Sequence, residues 1–180
     1  GGFQNVYGGG SYDAFLVKLD SGGNRLWATY YGGSGYDYGY TIAIDAGGNV
    51  CLAGATSSDT GIAFGGGQNT LGGAYDAFLV KFSPSGNRQW ATYYGGSGWD
   101  MAYGVATDTW NNVYLTGYTG SNSGIAFGGF QDTLGGSYDA FLVKFNSVGN
   151  RLWATYYGGS GSDEGYGVAI DAWDNVYLAG

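Results

Sequence analysis

The string Asp-Ala-Phe-Leu-Val-Lys is written three times in this chain, at 13–18, 76–81 and 139–144. The copies stand 63 residues apart, and Ala-Thr-Tyr-Tyr-Gly-Gly-Ser-Gly follows each in the same register from Ala28, Ala91 and Ala154. A fixed period of this length with near-identical wording marks a repeat architecture. Each unit buries its apolar face only against its neighbours, so the expected fold is an array rather than one closed core. The same repetition lowers the odds of a single dedicated active site.

Within one unit the apolar pattern has the period of strands. Thr41–Asp45 alternates, Ala46–Asn49 reads as a turn, and Val50–Gly54 runs back as a hairpin. A glycine-rich connection follows through Ile62 and Leu71. Ala77–Phe82 then reads as a third strand, Ser83–Asn87 as a turn and Gln89–Tyr94 as a fourth strand. Four antiparallel strands per unit joined by short turns describe a propeller blade, so the fold class is all-β. No window shows a 3.6-residue period, and helix is expected to be close to absent.

Asp20…Asn24, Asp45…Asn49, Asp108…Asn112 and Asp171…Asn175 have the spacing of Asx turns. The 39 glycines with one proline mark turns, and 18% aromatic content argues against disorder. Trp27, Trp90 and Trp153, with Phe15, Phe78 and Phe141, are the expected core. Each such ring removes roughly 150–250 Å² from water, worth about 4–6 kcal/mol before entropy is subtracted. Alternation places one tyrosine of each pair, Tyr30-Tyr31, Tyr93-Tyr94 and Tyr156-Tyr157, in the core and one outside.

Three motifs carry a resemblance. They are Gly-Gly-Ser-Gly-x-Asp at 32–37, 95–100 and 158–163, Asp-x-x-x-Asn-Val-x-Leu-x-Gly at 45–54, 108–117 and 171–180, and Asp-Ala-Phe-Leu-Val-Lys itself. Across essentially its whole length the chain resembles the bacterial β-propeller repeat family of seven-bladed type. That resemblance implies a propeller fold, a place in large secreted or surface proteins as a scaffold or adhesive region, and no defined catalytic residues.

The repeat frame divides the chain into an outer half-blade at 1–39, blades at 40–102 and 103–165, and an inner half-blade at 166–180. Rings usually need four to eight blades, so about three units leave unpaired strand edges. Three settings follow: a fragment of a longer array, a closed ring of several copies joined head to tail, or a filament. Residue 1 reads as a processed end or a cut inside a longer protein.

The net charge of −8 makes nucleic acid an unfavourable partner. All six cations fall at repeat-equivalent places, Lys18, Lys81 and Lys144, then Arg25, Arg88 and Arg151. No apolar stretch is long enough for a membrane-spanning helix. Cys51 stands where the other units carry Tyr114 and Tyr177, which makes it a filler rather than a reactive thiol.

Three kinds of chemistry are open to such a chain. Asp37, Asp100 and Asp163, in glycine-rich loops between blades, are weak calcium candidates, and the Asx turns explain most other oxygen ligands; no cofactor is expected. Catalysis is disfavoured: the chain has no histidine, and nine of its fourteen acids fall at threefold-repeated positions. Binding remains, through aromatics beside small residues. Trp110 and Trp173 stand in hairpin turns where the first full unit has Gly47, and Trp99 and Tyr36 vary in the glycine loops.

The expected function is therefore a non-enzymatic extracellular or cell-surface scaffold, adhesive or filament-forming. Its partners would be copies of itself or flanking repeats. The alternative is a propeller that binds glycans or surface proteins through rim aromatics.

Overall fold

The computed structural model describes residues 2–180. Among them lie twelve strands and no helix: β1 (Ala14–Leu19), β2 (Arg25–Tyr31), β3 (Asp37–Ile44), β4 (Val50–Thr56), β5 (Asp76–Phe82), β6 (Arg88–Tyr94), β7 (Asp100–Thr107), β8 (Val113–Thr119), β9 (Asp139–Phe145), β10 (Arg151–Tyr157), β11 (Gly167–Ile170) and β12 (Val176–Ala179). They form two complete four-stranded antiparallel sheets, β3–β6 and β7–β10, with a two-stranded sheet on either side, β1–β2 and β11–β12. These are propeller blades. The first strands of successive sheets, β3, β7 and β11, lie against one another.

The sheets span 37–94 and 100–157, three residues ahead of the sequence frame. β3 begins at Asp37, not Thr41, because the ladder continues past an irregularity between Gly39 and Thr41. A bulge of this kind adds a residue to one strand and re-aims the side chains beside it. Glycine at 39 and tyrosines at 38 and 40 concealed the strand from a pattern of apolar alternation.

Alternation along the central sheet divides the core into two clusters. Phe78, Val80 and Phe82 face β1–β2 and meet Leu16, Trp27 and Tyr31. Ala77 and Leu79 face the next sheet and meet Leu115, Phe141, Val143 and Phe145. β5 is consequently buried at every residue, since both its faces are covered.

That double covering corrects the reading of the tyrosine pairs. Tyr30 and Tyr157 are exposed and Tyr31 and Tyr156 buried, but Tyr93 and Tyr94 are both buried. Tyr93 donates its hydroxyl to Ser58 O at 2.7 Å on one side, and Tyr94 donates to Ile125 O at 2.9 Å on the other. Phe15 also departs from expectation. It is 69% exposed while its equivalents Phe78 and Phe141 are fully buried, because no sheet covers the outer face of β1–β2. Ile42 is exposed where Val105 is buried, since Val105 packs with Cys51 and Ala53 of the preceding sheet and, among the described residues, no such sheet covers Ile42.

The Asx turns form as expected. Asp45 Oδ1, for example, accepts from the amides of Gly47 and Asn49 at 2.9 Å each, and Asp171 repeats the arrangement with Trp173 and Asn175. The residue after each turn tryptophan, Asn111 and Asp174, has positive φ, where the first unit uses Gly48.

Candidate interaction site

The glycine loops carry the polar architecture of each blade junction. Asp37 is fully enclosed at the start of β3. It accepts from Thr56 Oγ1, from Ser58 Oγ at 2.8 Å and from the Gly33 amide at 2.9 Å. Asp100 repeats this with Thr119, Ser121 and Gly96. Among the described residues, Asp163 accepts only from the Gly159 amide. The expected calcium candidates Asp37 and Asp100 thus have hydroxyl and amide donors on both oxygens. No group of three metal-ligating side chains converges among the described residues.

A second carboxylate approaches each loop. At Gly95 a Cβ would lie 2.6 Å from both Asp100 Oδ2 and Asp76 Cγ, so this position has no room for a side chain. Asp76 accepts from Gln68 Nε2 at 2.8 Å and from the Gly72 and Gly73 amides. Burial, with Asp100 nearby, still pushes its pKa up to about 6. Burial raises that of Asp100 as well.

The opposite end of each blade holds the lysines. Lys81 Nζ lies 2.7 Å from Asp45 Oδ2, both side chains being almost wholly buried. In the next unit Tyr114 donates its hydroxyl to Asp108 Oδ2 at 3.1 Å, and Lys144 stands back at 3.4 Å. Cys51, in place of that tyrosine, is fully buried, and burial pushes its thiol pKa up to about 12.

The four aromatic candidates do not form one site. The strands that begin at Asp37, Asp76, Asp100 and Asp139 all start at the same end of the array, and Tyr36 and Trp99 are there. Trp110 and Trp173, 72% and 83% exposed, lie in turns at the other end.

Around Tyr36 and Trp99 the fold assembles a tyrosine-rich band that sequence reasoning missed. Tyr40, Tyr103 and Tyr166 are repeat equivalents, one from each inner strand or its approach. They form a column, with ring centroids 5.4 Å apart between the first two and 5.5 Å between the second pair. Tyr38 stacks on Tyr40 at 5.9 Å and reaches Tyr12 and Tyr75, which contact Tyr36 and Trp99 in turn. Tyr118 and Tyr138 extend the band from Tyr103. The spacing of 63 residues between Tyr40, Tyr103 and Tyr166 was the available signal.

Acids accompany this band. Tyr166 donates its hydroxyl to Glu164 Oε2 at 2.7 Å, and the buried aspartates of the loops stand at the same end. Arg88 and Arg151 are engaged elsewhere. Arg88 lies 4.2 Å from the centroid of Phe3 and 4.6 Å from that of Phe64, and Arg151 lies 5.0 Å from Phe127.

The outer two-stranded sheets leave two open edges. Among the described residues, β12 lacks the partner that β9 gives β8, and β1 lacks the partner that β4 gives β5. Trp27 and Trp90 donate Nε1–H to Pro84 O and Ser147 O in the next blade's turn, each at 3.0 Å. Trp153 has no such acceptor among the described residues. Asp171 has its Asx turn and the Tyr177 hydroxyl at 3.0 Å, but no lysine.

A family model described as beta-propeller repeat (SBBP) matches residues 89–124. The chain is 30% identical over 190 residues to an uncharacterized WD repeat-containing protein of Acanthamoeba polyphaga mimivirus, covering 94% of this chain and 14% of that protein. It is also 30% identical over 143 residues to the regulatory protein FlaEY of Caulobacter vibrioides, covering 78% of this chain and 15% of the relative. The chain thus spans about one seventh of the length of these relatives. No helix of the described residues is long and apolar enough to cross a membrane. Blade sheets, repeat period and family match agree: this is a propeller-type repeat protein, with the beta-propeller repeat recognised over residues 89–124.

Proposed function

We propose that this chain is a non-enzymatic interaction scaffold whose outer sheets are completed by the matching hairpin of another repeat. The hairpin comes from a second copy or from flanking repeats of a longer chain, in an extracellular or cell-surface structure, adhesive or filamentous. The observation that carries the reading is that the chain already contains both halves of the junction. β8 pairs with β9 through Val113↔Phe145, Tyr114↔Lys144 and Leu115↔Val143. One repeat further on, the same register pairs Val176 with Leu19, Tyr177 with Lys18 and Leu178 with Val17 of the incoming hairpin. It brings Lys18 to Asp171 and Ser21 O to Trp153 Nε1. The scaffold needs no cofactor.

Light scattering coupled to size-exclusion chromatography tests this. Self-association is expected to rise with concentration, to fall in Asp171→Lys, and to return in the double variant that adds Lys18→Asp. A chain that stays monomeric at every concentration overturns assembly through copies. A longer chain with flanking repeats then reports whether the hairpin arrives in cis.

A second reading, a binding face for proteins or glycans, is supported by the tyrosine band. Tyrosine and tryptophan supply large, stiff contact area with a polar tip, and they dominate the energetic centres of protein interfaces.

A further inference from the structure

We infer that the band along Tyr40, Tyr103 and Tyr166 binds an arginine-bearing basic segment of a partner protein. This rests on the band being a binding face and is independent of edge pairing.

Ring faces and charge argue together. Tyr40 and Tyr166, with Tyr36 and Trp99 beside them, are between 42% and 59% exposed, so part of each ring is accessible to a ligand. A ring face is the negative part of an aromatic quadrupole, and a guanidinium laid over it within about 6 Å is attracted. The chain itself makes this contact, since Arg88 and Arg151 each cover phenylalanine faces. Both arginines are tied down where they stand, donating to the backbone oxygens of Gly61, Ile62, Gly124 and Ile125. Among the described residues, no cation–π contact falls on the band's rings.

The carboxylates at this end complete the complementarity. Glu164 sits in the band with one oxygen on Tyr166, leaving lone pairs for a guanidinium. The net charge of −8 draws in cationic segments and repels anionic ones. Arginine fits better than lysine because its planar head both stacks on a ring and forks to a carboxylate. A neutral sugar would use the rings and gain nothing from the acids.

Titration calorimetry with a hexa-arginine peptide tests the inference against hexa-lysine, hexa-glutamate and a neutral β-glucan oligosaccharide. Hexa-arginine is expected to bind most tightly, and hexa-glutamate not at all. Tyr103→Leu removes the central ring without changing charge and should weaken binding about three- to tenfold. Glu164→Gln should weaken it by a similar factor and reduce its salt dependence. Trp110→Ala, at the far end, should leave it unchanged, and circular dichroism of each variant confirms the sheet. Equal affinity of Tyr103→Leu for the peptide overturns the inference, since attraction to net charge alone would explain that result. Binding of the oligosaccharide in its place overturns the choice of ligand but keeps the band as a binding face. Silence from all four probes overturns both.

Discussion

Three lysines occupy the same position in the repeat, and the structure predicts that removing them costs very different amounts. Lys81→Met keeps the stem that packs in the blade and deletes the ammonium 2.7 Å from Asp45 Oδ2. The Asp45 carboxylate stays enclosed with its turn amides and Asn49 Nδ2, but without a counter-charge. Breaking a buried pair in this way costs about 3–5 kcal/mol, and the surviving hydrogen bonds favour the lower end. In Lys144→Met the cation lost is 3.4 Å away and partly exposed, and the Tyr114 hydroxyl still reaches Asp108, so about 1–2 kcal/mol is expected. Among the described residues Lys18 has no carboxylate partner, only Pro84 O at 3.1 Å, and Lys18→Met should fall within about 0.5 kcal/mol of the parent. Urea unfolding followed by tryptophan fluorescence measures the series. A cycle of Lys81→Met with Asp45→Asn isolates the pair and should show a coupling of at least about 2 kcal/mol. Equal losses at 81 and 18, or a cycle with no coupling, would refute burial of the pair as the cause.

Two more predictions follow from the loops and the filler position. Burial raises the folded pKa of Asp76 to about 6 and raises that of Asp100 as well, so their contribution is complete below the ordinary carboxyl value and is lost as pH rises above it, through about 6 for Asp76. For Asp76 the loss is about 2 kcal/mol between pH 4 and 7. Burial raises the carboxyls of Asp45 and Asp108 too, but the Lys81 and Asn49 side chains at Asp45 and Asn112 at Asp108 outweigh it. Those groups stabilise above the ordinary carboxyl value and lose their contribution as pH falls below it. Thermal melts across pH should therefore peak between about pH 4 and 5.5, and Asp76→Asn should flatten the decline towards neutrality; a melting temperature rising from pH 5 to 7 would contradict this. Cys51, buried and with its thiol pKa near 12, should not react with a disulfide reagent at pH 8 in the native protein and should react fully in denaturant. Ready native-state labelling would place it outside the core.

Repeats made the strands legible. Asp-Ala-Phe-Leu-Val-Lys gave β1, β5 and β9 almost to the residue, and the Asp…Asn spacing gave the hairpin turns. The start of β3 was concealed, since a bulge beside Gly39 breaks the alternation a pattern reading depends on. Of the candidate site, Tyr36 and Trp99 stand out in the sequence as variable aromatics, whereas Tyr40 and Tyr103 carry no signal there beyond their 63-residue spacing. Trp110 and Trp173 follow the first strand of their sheets, whereas Tyr36 and Trp99 precede it, so the two sets lie at opposite ends of the strands.

The amino-acid sequence alone determined the unit, its four strands and the need of each unit for a neighbour, because periodicity and turn chemistry are local. Only the tertiary structure decided which copy of each residue is covered. Phe15 and Phe78 have the same wording and opposite exposure, as do Tyr157 and Tyr94, because burial in an array depends on what stacks on each face. It also brought Tyr40, Tyr103 and Tyr166 into one column, since residues 63 positions apart meet only when blades lie side by side.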